Sequence, residues 1–305
     1  MILGAHIGIA DGLAQAVRTG RGIGCDAIQI FAKSPQMWAG PPIPVTSAEE
    51  FRTAVRAEGL RATAIHHGYL INLASPKRPM LERSRKAFLD EIRRAELLEV
   101  DGLIFHPGAH LGSGPEAGLK AIAESLRGAL EAVPDGKVPL LLENAAGQGT
   151  ALCSTFEELA TVLAEVGGGA RVGVTLDTCH LFASGIDFRT EETYGTLVDR
   201  VDGVIGRGNV RAFHLNDAKA ELGSHLDRHE NIGTGQIGLG GFRRFVNDPR
   251  WSMVPGYLET PIDDHGYDRY VQDLTSLRGL VEPPSATAPA PSASRRSPRR
   301  ASTVK

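Results

Sequence analysis

The sequence predicts an α/β chain folded as a single (β/α)8 TIM barrel domain spanning residues 1–282. Three observations carry that expectation. Eight short β-like runs alternate with longer segments of helical periodicity, the pattern of βα units around a parallel sheet. A chain of 305 residues, 42% hydrophobic and 23% charged, can bury a full core. Nine side chains able to hold a metal fall at or just after the ends of successive β runs, the rim on which such a barrel gathers its functional residues.

The β runs are Ile2 to Ile7, Ala27 to Phe31, Ala62 to His66, Gly102 to His106, Val138 to Glu143, Val172 to Asp177, Val210 to Leu215 and Gly256 to Glu259. After the second, Ser47 with Glu50 reads as a capping box that opens a helix. After the third, Leu81, Phe88, Ile92, Ala95 and Leu98 form the apolar stripe of a helix from Leu81 to Leu98, with charges opposite. A last helix is expected near Tyr267 to Leu280.

From Pro283 the composition shifts to Pro, Ser, Ala and Arg, and the sequence predicts a disordered basic tail over 283–305. It is either a solvated terminus or an electrostatic arm toward nucleic acid. The formal charge of −3 includes five positive tail residues, so the body carries 28 bases against 36 acids, or −8. An acidic body argues against a nucleic-acid partner unless bound cations make its ligand-rich pocket locally electropositive. Cys25, Cys153 and Cys179 have no paired spacing, which fits a reducing cytoplasm. Neither an export signal nor an apolar run long enough to span a membrane is present, so no membrane partner is expected.

The nine candidate ligands are His66, His106, Glu143, Asp177, His180, His214, Asp227, His229 and Glu259. Each alone has a bland reading, but a series converging strand by strand on one rim suggests a multi-metal hydrolytic site. Asp177-Thr178-Cys179-His180 leaves a strand on a turn that splays two ligands toward adjacent ions; a polar turn with an Asp cap looks the same. Asp227 and His229, two apart in an extended loop, point the same way and gain weight beside His214.

His106 is favoured over His110 because it ends a strand, whereas the spacing leaves His66 and His67 open. Glu143 and Glu259 follow buried strands, where a carboxylate is costly unless paired or metal-bound, and each can bridge two ions; they could also form an acid/base pair without metal. The run Gly233 to Gly238 could cradle phosphate through backbone N–H groups or be a plain loop. Tyr69 and Leu70, on the same rim, could wedge into a DNA stack or simply anchor their own loop.

Together these segments resemble the endonuclease IV family of abasic-site DNA repair nucleases, from Gly4-Ala5-His6 to about Leu280. The likeness is carried by the His66 segment with Tyr69-Leu70-Ile71-Asn72, Phe105-His106-Pro107-Gly108, Glu143-Asn144-Ala145-Ala146-Gly147-Gln148-Gly149, Asp177-Thr178-Cys179-His180, His214-Leu215-Asn216-Asp217-Ala218-Lys219, Asp227-Arg228-His229 and Leu258-Glu259-Thr260. The resemblance prefers His66 and implies three zinc ions. His66, His106 and Glu143 would hold one. Glu143, bridging as the central catalytic carboxylate, would hold a second with Asp177, His214 and Glu259. His180, Asp227 and His229 would hold the third.

The resemblance further implies a monomer acting on double-stranded DNA that contains abasic sites. It would hydrolyse the phosphodiester 5′ to the lesion, leaving a 3′-hydroxyl and a 5′-deoxyribose phosphate, and remove 3′ blocking groups. One departure concerns DNA binding. Where the family pattern can place an inserting Arg, the loop reads Lys33-Ser34-Pro35-Gln36-Met37-Trp38, with Gln36 at that position, while Tyr69 and Leu70 are kept.

Two other functions fit part of the pattern. A sugar isomerase or epimerase on the same barrel would need only Glu143, Asp177, His214 and Glu259, leaving the other five ligands without a purpose. A non-catalytic binder of damaged DNA could keep all nine as scaffold.

Overall fold

The computed structural model describes residues 1–167, 169, 171–262 and 266–283; the expected basic tail therefore lies outside the described residues from 284 onward. Strands β1 (Ile2–His6), β2 (Ala27–Phe31), β3 (Ala62–His66), β4 (Gly102–Phe105), β5 (Leu140–Glu143), β6 (Val172–Asp177) and β7 (Val210–His214) are joined in turn by helical crossovers. Two short strands, β8 (Asp217–Ala218) and β9 (His229–Glu230), precede the last barrel strand, β10 (Pro255–Leu258). The parallel barrel closes in the order β1-β10-β7-β6-β5-β4-β3-β2, while β8 and β9 form a separate antiparallel ribbon. The chain is a TIM barrel, as the alternation of elements predicted.

Side-chain alternation along each strand decides what reaches the site. In β5, Leu141 packs inside the barrel with Ala62, Ala64, Ile104, Ala212 and Tyr257, whereas Leu140 and Leu142 join the core beneath the helices. Counting on by twos carries the inward face to the strand ends, from Ala64 to His66, Ile104 to His106, Leu141 to Glu143, Ala212 to His214 and Tyr257 to Glu259. His67 shares the outward parity of Ile65 and lies edge-on to Phe88 and Phe105, with ring centroids 6.4 and 6.1 Å away. Parity therefore turns His66, and not His67, to the inside of the barrel.

Helices α1 (Leu13–Gly22), α2 (Val45–Glu58), α3 (Arg78–Leu98), α4 (Pro115–Ala132) and α5 (Phe156–Val166) cover the first half. Helices α6 (Thr178–Ala183), α7 (Glu191–Arg200), α8 (Gly238–Asn247) and α9 (Asp268–Gly279) cover the second. The capping box at Ser47 and Glu50 does not form, because Pro44 starts α2 at Val45 and Ser47 already lies within its first turn. On α3, Phe88, Ile92, Ala95 and Leu98 are buried as expected, but so are Glu91 and Arg94, which the stripe placed on the charged face. Among the described residues no helix is long and apolar enough to cross a membrane.

Candidate metal centre

All nine candidate ligands converge at the carboxyl ends of the strands. Glu143 lies at the middle, fully buried, with its two oxygens facing different partners. Its Oε2 is 3.1 Å from His66 Nε2 and 3.6 Å from His106 Nδ1. Its Oε1 is 2.8 Å from His214 Nδ1 and 3.5 Å from His180 Nδ1. His214 Nδ1 is also 3.4 Å from Glu259 Oε2 and 3.8 Å from Asp177 Oδ2. On the far side, Asp227 Oδ1 lies 3.2 Å from both His180 Nε2 and His229 Nε2.

Three groups capable of holding an ion result, with the ligand atoms of each within 4.8 Å of one another: His66, His106 and Glu143; Glu143, Asp177, His214 and Glu259; and His180, Asp227 and His229. A fourth combination, Asp177, Cys179 and His229, meets the same distance limit. Chemistry disfavours it: burial pushes the Cys179 thiol far above its ordinary range, and that thiol donates to the Arg228 carbonyl at 3.5 Å.

The imidazoles are oriented for coordination. His66 Nδ1 lies 2.9 Å from the His67 carbonyl, His180 Nδ1 2.8 Å from that of Asn144, and His229 Nδ1 3.1 Å from that of Glu259. A carbonyl can only accept, so each Nδ1 carries a proton and each Nε2 is the atom turned into the site, where loss of its own proton would free a lone pair for an ion. His180 Nε2 and His229 Nε2 are buried with Asp227 Oδ1 3.2 Å from each but out of line for a hydrogen bond, an arrangement a cation among the three would satisfy. His214 is reversed, with Nε2 held 2.8 Å from Gln29 Oε1 and Nδ1 facing the carboxylates.

In the protein alone, these carboxylates are balanced by protons on the imidazoles. Burial disfavours the charged form of His214, but Glu259 and Glu143 outweigh it and raise its pKa to about 9. His229 likewise reaches about 9, burial being overcome by Asp227 and Asp177. Burial acts upward on Glu143 and Glu259, yet the surrounding histidines hold both well below the usual carboxylate range. A metal-free acid/base pair needs one of the two protonated, which this surrounding of histidines disfavours.

Several supporting residues were not evident in the sequence. Gln29 Nε2 donates to Glu259 Oε1 at 2.6 Å and contacts His6 Nδ1 at 2.9 Å. Asn216 Nδ2 donates to Asp177 Oδ2 at 2.7 Å, and its Oδ1 accepts from the Glu259 N–H at 2.8 Å. Asn144 accepts from the Asp177 N–H at 2.6 Å. His6 and Gln29 could have been found by applying inward parity to the first two strands; the asparagines adjoin predicted ligands, and only their contacts reveal their part.

Asp177 is both a candidate ligand and the cap of α6, accepting from the His180 N–H at 2.8 Å. The glycine-rich run is a cradle, but not for phosphate. The N–H groups of Gly233, Gly235 and Ile237 converge on the carboxylate of buried Asp217 at 2.9, 3.1 and 2.9 Å, with Gly238 N–H adding longer contacts. A Cβ at Gly235 would lie 2.5 Å from the Ala218 carbonyl, so only glycine lets the backbone approach. His110 is likewise internal, its Nδ1 accepting from the N–H groups of Gly112 and Gly114.

Beside the cluster opens a cleft of about 360 Å³, lined by Tyr69, His106, Gln148, His180 and Asp227 among others. Tyr69 is 64% exposed at its edge, with Leu70 exposed next to it. Gln36 is exposed on the loop after β2, where the Pro35 carbonyl accepts from the Tyr69 N–H at 3.0 Å.

A sequence model described as xylose isomerase-like TIM barrel matches residues 17–280. The chain is 42% identical over 280 residues to the probable endonuclease 4 of Chloroflexus aurantiacus, covering 92% of this chain and 98% of that relative. The crystal structure of endonuclease IV from Thermus thermophilus superposes with a TM-score of 0.81 at 34% identity, over 92% of this chain and 98% of that one. A D-tagatose 3-epimerase-like protein superposes at 0.67 with 16% identity, over 92% of this chain and 97% of that one, a likeness of fold alone.

Proposed function

Because this chain belongs to the endonuclease IV family and is a hydrolase of that kind, we propose that it binds three zinc ions and cuts duplex DNA on the 5′ side of abasic sites. The products are a 3′-hydroxyl and a 5′-deoxyribose phosphate, and the same centre removes blocking groups from 3′ ends. The protein acts in the cytoplasm as a monomer.

The observation that carries the reading is the division of labour at Glu143, whose two oxygens face His66 and His214 at 3.1 and 2.8 Å. Such a carboxylate can serve two ions, with His106 completing one set and Asp177 and Glu259 the other; His180, Asp227 and His229 suit a third. The chemistry these ions supply is activation of water near neutral pH and neutralisation of charge on the phosphate. The chain's part is to hold the donors still: backbone carbonyls fix three imidazoles, while Gln29 and Asn216 orient His214, Asp177 and Glu259. No side chain need act as nucleophile. Tyr69 and Leu70 stand where apolar side chains could enter the base stack, with Gln36 on the adjoining loop.

The surplus of ligands argues against a sugar epimerase, which has no use for the group formed by His180, Asp227 and His229. The test is metal content measured alongside cleavage of a duplex containing one tetrahydrofuran abasic analogue. About three zinc ions per chain and incision 5′ to the analogue are expected. Fully metal-loaded protein that leaves the duplex intact while epimerising a ketose would overturn the reading.

A further inference from the structure

Helix α3 places three polar side chains against the two loops that carry Gln36 and Tyr69. Residues 83, 87, 91 and 94 share one helix face by the i, i+4 and i+3 spacings. Arg94, near the end of α3, spans both ends of the loop after β2: Nη1 donates to the Ala32 carbonyl at 3.4 Å, and Nη2 to the carbonyls of Gly40 and Pro41 at 3.0 and 2.9 Å. Its Nε is held by Asp90 at 2.8 Å.

Glu91 pairs with Lys33 in the same loop, and the two side chains are only 1% and 2% exposed. The same Glu91 oxygen accepts the Gly68 N–H at 3.3 Å, in the loop that leads to Tyr69. At the loop tip, Arg83 lies over the Trp38 ring, 4.4 Å from its centroid.

The two loops also touch each other. Tyr69 N–H donates to the Pro35 carbonyl at 3.0 Å, and a Cβ on Gly68 would stand 2.9 Å from that same oxygen. Met37, Tyr69 and Leu70 are left exposed by this arrangement. A buried ion pair seldom adds stability over an apolar pair of the same volume, so its use here lies in what it positions.

We propose that Glu91 and Arg94 are positioning residues, which join the loops of Gln36 and Tyr69 into one preformed probe of the DNA duplex. This rests on the proposed function. The probe meets the lesion already ordered, so the ordering cost falls on folding rather than binding.

The experiment compares Arg94→Lys and the double variant Lys33→Met/Glu91→Met with the parent. The double variant replaces the buried ion pair by apolar side chains, which spares the fold, yet removes the acceptor shared by Lys33 and Gly68. Three readouts are taken: KM and kcat on the duplex with a tetrahydrofuran analogue, hydrolysis of bis(p-nitrophenyl) phosphate, and acrylamide quenching of Trp38. The only other tryptophan, Trp251, is buried, so quenching reports the loop.

The expected result is a KM on the duplex raised about tenfold or more, with kcat and small-ester hydrolysis unchanged and Trp38 quenching increased. Unchanged quenching, or unchanged KM despite looser quenching, would overturn the clamp while leaving the nuclease reading intact. Equal loss on duplex and small ester would also overturn it, by showing a general effect on the centre. A parent protein that hydrolyses the small ester but never cuts the duplex would overturn both readings together.

Discussion

His214 Nε2 lies 2.8 Å from the amide oxygen of Gln29, so the ring is held with its Nδ1 toward Glu143, Asp177 and Glu259. Leucine at position 29 would keep the volume but remove the acceptor, freeing the ring to place its proton on the coordinating side. Gln29→Leu is therefore expected to weaken metal binding by roughly 10–100-fold, the usual effect of losing such a partner. Competition against a chromophoric chelator measures this, and parental affinity in the variant would refute it.

With the thiol-containing combination set aside, Glu143 is the carboxylate shared by two of the three remaining ligand groups. Glutamine in its place has a single acceptor oxygen and no charge, so it cannot bridge. Glu143→Gln should fold, bind fewer ions per chain, and lose activity on abasic duplex by on the order of 10²–10³-fold or more. Elemental analysis of the purified variant beside a gel cleavage assay gives both numbers; full metal content with near-parental cleavage would remove Glu143 from its assigned role.

Asp217 collects the N–H groups of Gly233, Gly235 and Ile237, and β8, in which it lies, pairs with β9, which carries His229. An asparagine there would turn an NH2 group toward converging donors. Asp217→Asn should cost about 1–3 kcal/mol in urea unfolding. It should also lower occupancy of the group formed by His180, Asp227 and His229 more than the other two. Uniform loss across all three groups would show that the cradle has no special link to that one.

Protons and cations compete for the same nitrogens. His214 and His229 are raised to about 9 in the protein alone, above the ordinary 6.5, so the chelated protein holds their stabilising contribution fully below pH 6.5 and loses it as pH climbs through 9. Metal loading reverses the trend, because binding needs the nitrogens unprotonated and releases protons. Chelated protein should melt at a lower temperature at pH 9 than at pH 6.5. Calorimetric zinc titration at pH 7.5 should give heats that depend on buffer ionisation; buffer-independent heats would contradict the assignment.

Gln36 is exposed on the probe loop and uncharged. Gln36→Arg should tighten binding to abasic duplex and steepen the dependence of log K on log salt by about 0.9, the increment for one added phosphate contact. Fluorescence anisotropy across a salt series measures the slope, and an unchanged slope would mean that position 36 faces away from the backbone of the DNA.

Much of the site was legible in the sequence because a parallel barrel is a repetitive object. Each β run ends on the same rim, so ordering His66, His106, Glu143, Asp177, His214 and Glu259 along the chain already orders them around the barrel. The choice between His66 and His67 was not legible there, since spacing left it open and only the inward packing of Ala64 turns His66 to the barrel interior. The Asp177 turn was legible in both senses, since capping α6 and facing the cluster of candidate ligands use the same carboxylate.

Other features depend on groups that meet only after the barrel closes. Nothing local distinguishes the Gly233 to Gly238 run as a cradle for an internal carboxylate rather than for phosphate, because Asp217 lies sixteen residues before the first N–H donor of that run. Glu91 and Arg94 read as surface charges by helical periodicity, yet both are buried against the loops after β2 and β3. Residue type and period are properties of a segment, and they determined the barrel, its rim and the metal-ligating chemistry gathered there. The partner of a buried charge is a property of closure, so only the tertiary structure decided which carboxylates face the candidate metal centre, which are consumed in holding loops, and which histidine nitrogen faces that centre.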